Sequence, residues 1–157
     1  MIYRKILKIA SAIAIASAIA TPSLAALSPE DKTSINDVKR ETRELVKSIE
    51  SYSAEQRDLA IQEIEVAIVR LDNRIGELQD RIDDHWDSMT EEARKKARSS
   101  LDSLHRQRKE LGDWYAELKG SSASAWADIR MGFSKAFRDI NKAWEEALSA
   151  FENSDQS

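Results

Sequence analysis

From residue 35 onward the apolar positions of this chain recur at alternating spacings of three and four, and no segment alternates with the period of two that marks a strand. Ile35, Val38, Thr42, Leu45, Ile49 and Tyr52 form the first series. Its next positions would be Gln56, Leu59 and Glu63, whereas the apolar stripe resumes at Ile61. Between the two, Ser53-Ala54-Glu55-Gln56 fits a capping box, in which the Ser hydroxyl and the Gln side chain satisfy each other's orphan amides. The pattern therefore predicts a break at 51–54. Upstream, Ser28-Pro29-Glu30-Asp31 reads as a helix start, with Ser as N-cap, Pro at the first helical position and acids in the first turn.

The second helix has the most regular pattern. Ile61, Ile64, Ile68, Leu71, Ile75, Leu78, Ile82, His85 and Met89 form an a/d seam, and Ala97, Leu101, Leu104, Arg108, Leu111, Tyr115 and Leu118 continue it in a third. A sustained 3.5-residue repeat argues for coiled-coil packing. Ser88-Met89-Thr90-Glu91 is the expected turn, capped by Ser88 with Glu91 or by Thr90 alone. Folding the chain there makes facing residue numbers sum to 179, which sets Ile61 on Leu118, Ile68 on Leu111, Ile75 on Leu104 and Leu71 on Arg108. The alternative is one continuous helix, since no glycine or proline interrupts 88–91. Gly120 suits a left-handed C-cap for the third helix, and Ser121 or Ser122 an N-cap for the fourth.

The fourth segment holds two of the four tryptophans and all three phenylalanines, each after a small residue: Ala125-Trp126, Gly132-Phe133, Ala136-Phe137, Ala143-Trp144 and Ala150-Phe151. On a helix the rings, with Ile129, Ile140 and Leu148, occupy an arc of about 100°, the width of a core-facing stripe. The small residues line one flank, where they let a neighbouring backbone approach. Such a face serves as bundle core, as a surface for a partner or a second copy, or as a lipid-facing surface. Trp126, Phe133, Phe137, Trp144 and Phe151 are the candidate interaction surface. The segment is net acidic, whereas lipid-surface helices usually carry a cationic polar face. The core reading is preferred.

The first 25 residues read as an export signal rather than as fold. Arg4, Lys5 and Lys8 precede an apolar run from Ile9 to Ala20, and Thr21-Pro22-Ser23-Leu24-Ala25 supplies a small-x-small site, with cutting expected after Ala25. The run is about a dozen residues, short of the roughly 20 that span a bilayer. Removing three of the 24 basic residues leaves 21 against 28 acidic ones, a net charge of −7. That field repels nucleic acid and anionic lipid. No cysteine is present, so neither disulfides nor lipid attachment at a cysteine is available.

Little in the sequence points to catalysis. His85 and His105 are the only imidazoles and fall at different levels of the hairpin. His85, beside Asp83, Asp84 and Asp87, would form at most a weak metal or pH-sensing site; a polar register residue is the plainer reading. Asp83-Asp84, Glu91-Glu92 and Glu145-Glu146 diverge around a helix, unlike the converging carboxyls of a glycosidase. Arg108 in the seam is expected to extend outward or pair with a carboxylate. No P-loop and no nucleophile elbow occurs. Neither cofactor nor metal is expected, and no enzyme.

The run from Leu71 to Ala147 resembles a little-characterised group of small bacterial coiled-coil proteins, some labelled stress-response proteins. The resemblance rests on Arg106, Arg108, Leu111, Trp114 and Tyr115, then Ser121-Ser122, Ala125-Trp126, Gly132-Phe133 and Ala136. It implies a coiled-coil fold and no catalytic residues; the export signal is a departure if those relatives are cytoplasmic. The expected architecture is all-α: a signal peptide at 1–25, an N-terminal helix at 26–52, an antiparallel coiled-coil hairpin at 53–120 and an aromatic amphipathic helix with a polar tail at 121–157. The expected function is a non-enzymatic periplasmic or secreted protein acting through helix–helix interaction, with itself or a protein partner, as an adaptor or envelope-stress factor. Association with a membrane surface is the alternative.

Overall fold

Local hydrogen bonding sets where each helix starts and stops. In the computed structural model, which describes residues 34–155, α1 runs Ile35–Ser51. Ser34 caps it: its backbone is extended and its hydroxyl oxygen accepts the Asp37 N–H at 3.2 Å. The same Ser34 hydroxyl, with Arg40, holds the Asp37 carboxyl below its ordinary pKa, which keeps a negative charge in the first turn. The start expected at Ser28-Pro29 lies outside the described residues. A turn of 3₁₀ helix, Ala54–Gln56, follows, with the Ser53/Gln56 capping box formed. α2 is Arg57–His85, and a second 3₁₀ turn, Trp86–Ser88, leads to α3, Glu91–Gly120. Thr90 caps α3 by accepting the Ala93 N–H at 3.2 Å, so the chain folds back rather than running on as one helix.

Gly120 departs from expectation. It is the last helical residue of α3 rather than a left-handed cap, and Ser121 stands at the C-cap in extended conformation. The Ser121 N–H and hydroxyl both donate to the Leu118 carbonyl, at 3.3 and 2.8 Å. With that orphan carbonyl satisfied, no positive φ is needed. α4 then spans Trp126–Asp155, its entry capped by the Ser122 oxygen, which accepts the Ala125 N–H at 3.3 Å.

Cross-helix bonds fix the topology. Between α2 and α3, Arg108 grips Asp72 through two nitrogens, Tyr115 donates to Glu65 and Arg57 donates to the Ser121 carbonyl. These residue numbers add to within one of the expected 179 in every case, so the hairpin register is the one the seam prescribes. α1 lies antiparallel to α2, with Arg74 donating to Glu41 at one level and Ser48 and Tyr52 donating to Glu63, at 2.8 and 2.6 Å, at the other. α4 runs alongside α2 in the same direction: the Trp144 indole donates to the Arg74 carbonyl at 3.1 Å and Arg81 meets Glu152 at 3.4 Å. The four helices thus alternate in direction and form a small all-α bundle.

α3 and α4 share the most extensive close backbone packing among the described residues. The small residues of α4 lie along this side: Ala136 and Ala143 border one surface recess together with Gln107, and Ala147 and Ala150 border another together with Ala93 and Ala97. Gly132 is the tightest point. A Cβ built there would stand 2.4 Å from Cζ3 of Trp114, so the indole of α3 occupies the space a side chain would need. Leucine and isoleucine layers fill the rest of the core, with Ile64, Leu71, Leu78, Ile82, Leu104, Leu111 and Leu118 fully buried.

Two outcomes are expected from this packing. Gly132→Ala should lower stability, because overpacking against Trp114 costs about 1–3 kcal/mol and exceeds the roughly 1 kcal/mol that alanine gains in a helix. In a Trp114→Ala background the same change should be stabilising, and four urea denaturation curves read the reversal; simple additivity would mean the ring is not the constraint.

The second concerns alkali. Burial, then the bond to Glu65, pushes the Tyr115 phenol up to about 12. A raised pKa contributes stability that is complete below the ordinary tyrosine value of about 10 and is lost as pH rises through the folded value. Tyrosinate absorbance should show this delayed ionisation, and Tyr115→Phe should flatten the loss of stability between about pH 10 and 12.

Candidate functional site

The five rings proposed as an interaction surface lie inside the bundle. Trp126, Phe133, Phe137, Trp144 and Phe151 are 3%, 0%, 3%, 4% and 5% exposed, so in this chain their partners are the chain's own helices. Phe133 and Phe137 stack with centroids 6.0 Å apart. Both indoles of α4 reach backbone carbonyls, as buried tryptophans require: Trp126 donates to Tyr52 at 3.0 Å and Trp144 to Arg74. Arg130 also donates to the Tyr52 carbonyl, at 2.6 Å, placing a cation at the C-terminal end of α1 where the helix dipole favours it. Phe151 closes the other end, under the Arg81 guanidinium and edge-on to His85.

The histidines do not converge. His85 is exposed, its Nδ1 2.8 Å from the Arg81 carbonyl oxygen, and His105 is exposed on α3. Among the described residues no group of three or more His, Asp or Glu side chains is placed to hold a metal ion, and no helix is long and apolar enough to cross a membrane.

Among the described residues, apolar surface remains along one side of α2, at Met131 of α4 and in a cleft that α2 shares with α1. Leu59, Val66 and Val69 are 52%, 53% and 58% exposed, on the side of the helix turned away from its buried seam. Between α1 and α2 lies a cleft of about 410 Å³, with Leu45, Val66 and Ala67 on its walls and Phe137 as its floor. Glu41, Thr42, Arg70 and Arg74 gather at one end, Gln62 and Glu63 at the other. Arg74 is buried and paired with Glu41, whereas exposed Arg70 makes no ion pair among the described residues. Glu63 is held by the Ser48 and Tyr52 hydroxyls, and its bond holds the Tyr52 phenol above its ordinary pKa. Thr42 Oγ1 is buried and has no hydrogen-bond partner among the described residues.

Comparison with family models, with curated proteins and with solved structures gives no match.

Sequence reasoning passed over the α2 surface and the cleft. The signal for the first was present: Val66 and Val69 are β-branched residues outside the a/d seam of α2, where a solvated face would carry polar ones. No pattern announces the cleft, because its width depends on how far α1 stands from α2. The buried polar atoms Ser134 Oγ and Asn141 Oδ1 of α4 were also unanticipated.

Phe137→Ala tests the role of the aromatic stripe. Loss of a well-buried phenylalanine should lower unfolding free energy by about 3–5 kcal/mol in buffer without lipid. An unchanged thermal melt together with lost vesicle flotation would instead make the ring a lipid-facing group.

Proposed function

We propose that this chain is an exported, non-enzymatic helical protein that acts in the periplasm, or outside the cell, by presenting a helix face to another protein or to a second copy of itself. An adaptor or envelope-stress role, the latter in line with the resemblance of its central region to coiled-coil stress-labelled proteins, fits this reading. The observation that carries it is the second apolar stripe of α2. Leu59, Val66 and Val69 follow spacings of seven and three along one side of a helix whose other side already supplies the core. Isolated apolar residues on a surface mean little, whereas several aligned along one helix face favour association. The expected partner is an amphipathic helix laid along that stripe, recognised through apolar contacts at helical spacing.

A photo-crosslinking residue at Val69, expressed in the full chain in intact cells, should give a discrete higher-mass adduct, and one at Lys95 on exposed α3 surface should not. Equal adducts from both positions, or none from Val69, would remove the support for a helix-docking face. The same sample tests export: its mature N-terminus should be Ala26, in the periplasmic fraction or the medium.

A further inference from the structure

We infer that the exposed stripe of α2 pairs with the same stripe of a second copy of this chain, the two helices antiparallel about a two-fold axis between Val66 and Val69. This pairing rests on the docking reading of that face proposed above and names its partner.

The stripe is self-complementary in one register. Leu59, Gln62, Val66, Val69, Asn73 and Gly76 follow spacings of three and four along the side of α2 opposite its buried seam, and all six are exposed. A two-fold contact sets residue i on j and j on i. With facing residue numbers summing to 135, Val66 lies on Val69, Gln62 on Asn73 and Leu59 on Gly76. Each layer matches its opposite in kind. The valines meet at the axis, the two amides each bring donors and an acceptor, and the leucine is set against the residue without a side chain. Among the described residues nothing lies within 4 Å of where a Cβ of Gly76 would stand, so that space is open to the leucine of the other copy. The next layer outward, Glu55 on Asp80, is repulsive, and the contact ends there.

Charge fixes the direction. On the α1 side of the stripe, this register brings Arg70 of each copy beside Glu63 of the other. Arg70 is exposed and makes no ion pair among the described residues. Glu63 already accepts two hydroxyl donors, and a carboxylate has lone pairs for a further one. On the α3 side Glu65 comes beside Asp72 of the other copy, where each acid already has a donor from α3, Tyr115 or Arg108. A parallel pair would keep one opposite-charge contact, Glu65 with Arg70, but would set Asp58 beside Glu63 and Asp72 beside Glu77. Like charges so placed oppose association. It would also stack Leu59 on Leu59 and leave Gly76 facing Gly76.

Light scattering of the purified chain over about 1 to 100 μM tests the pairing. The chain should scatter as a dimer at the upper end. Val69→Lys should leave it a monomer, and Arg70→Glu should weaken self-association by about tenfold or more. Both positions are exposed, and far-UV circular dichroism should show unchanged helix content in each variant. Because the chain lacks cysteine, introduced thiols report the register without background. A mixture of Leu59→Cys and Gly76→Cys chains should form a disulfide-linked dimer on mild oxidation. Leu59→Cys alone should not, since its two copies stand about 26 Å apart along the helices. Crosslinking of Leu59→Cys alone in preference to the mixture would overturn the antiparallel register, and a dimer that survives Val69→Lys would place the contact elsewhere and overturn the pairing. A monomer throughout would overturn it equally. A Val69 photo-adduct in cells at a mass other than two chains would then leave the docking face standing with a different partner, and no adduct would remove the face as well.

Discussion

The fold depends on how closely α4 can approach α3. A helix with five large rings along one stripe would hold its neighbours apart if both flanks were bulky. Here one flank is glycine and alanine, so α3 settles against the backbone of α4 while the rings turn inward. Trp114 filling the notch at Gly132 makes that contact specific in register as well as close. Once α4 is seated, its indoles reach carbonyls on two further segments, Tyr52 at the end of α1 and Arg74 within α2. The aromatic helix is therefore the element around which the other three are arranged, rather than an addition to a hairpin.

How much of this was legible in the sequence depends on how local the cause is. The α2–α3 register could be read because a long seam of Ile and Leu tolerates only one alignment, and Arg108 opposite Leu71 finds Asp72 one residue away. The capping box at Ser53 and the cap at Thr90 involve neighbours in the chain and were equally readable. Gly120 misled because glycine permits a left-handed cap without requiring one, and two donors from Ser121 met the same need. The cleft escaped entirely. Its width follows from side chains on three helices, and no spacing along one of them encodes it.

Polar groups are distributed unevenly across the bundle. The α2–α3 contact is latched from outside by partly exposed pairs, Arg108 with Asp72 and Tyr115 with Glu65. Buried side-chain oxygens with no partner among the described residues lie on α1 at Thr42, on α3 at Gln107 and on α4 at Ser134 and Asn141, although the Asn141 amide nitrogen donates to the Phe137 carbonyl at 2.7 Å. Each such atom weakens the packing of its segment, since water lost on folding is not replaced. The exposed large apolar side chains are Leu59, Val66 and Val69 on α2 and Met131 on α4.

The helices also differ in length. α1 has 17 residues against 29 or 30 in each of the others, and it borders the cleft. A short helix gains less from its own hydrogen-bond ladder than a long one, and stability within a fold is shared unequally among cooperative units. α1 is the shortest helix, so its place in the bundle rests on its packing against α4 and α2 rather than on its own length.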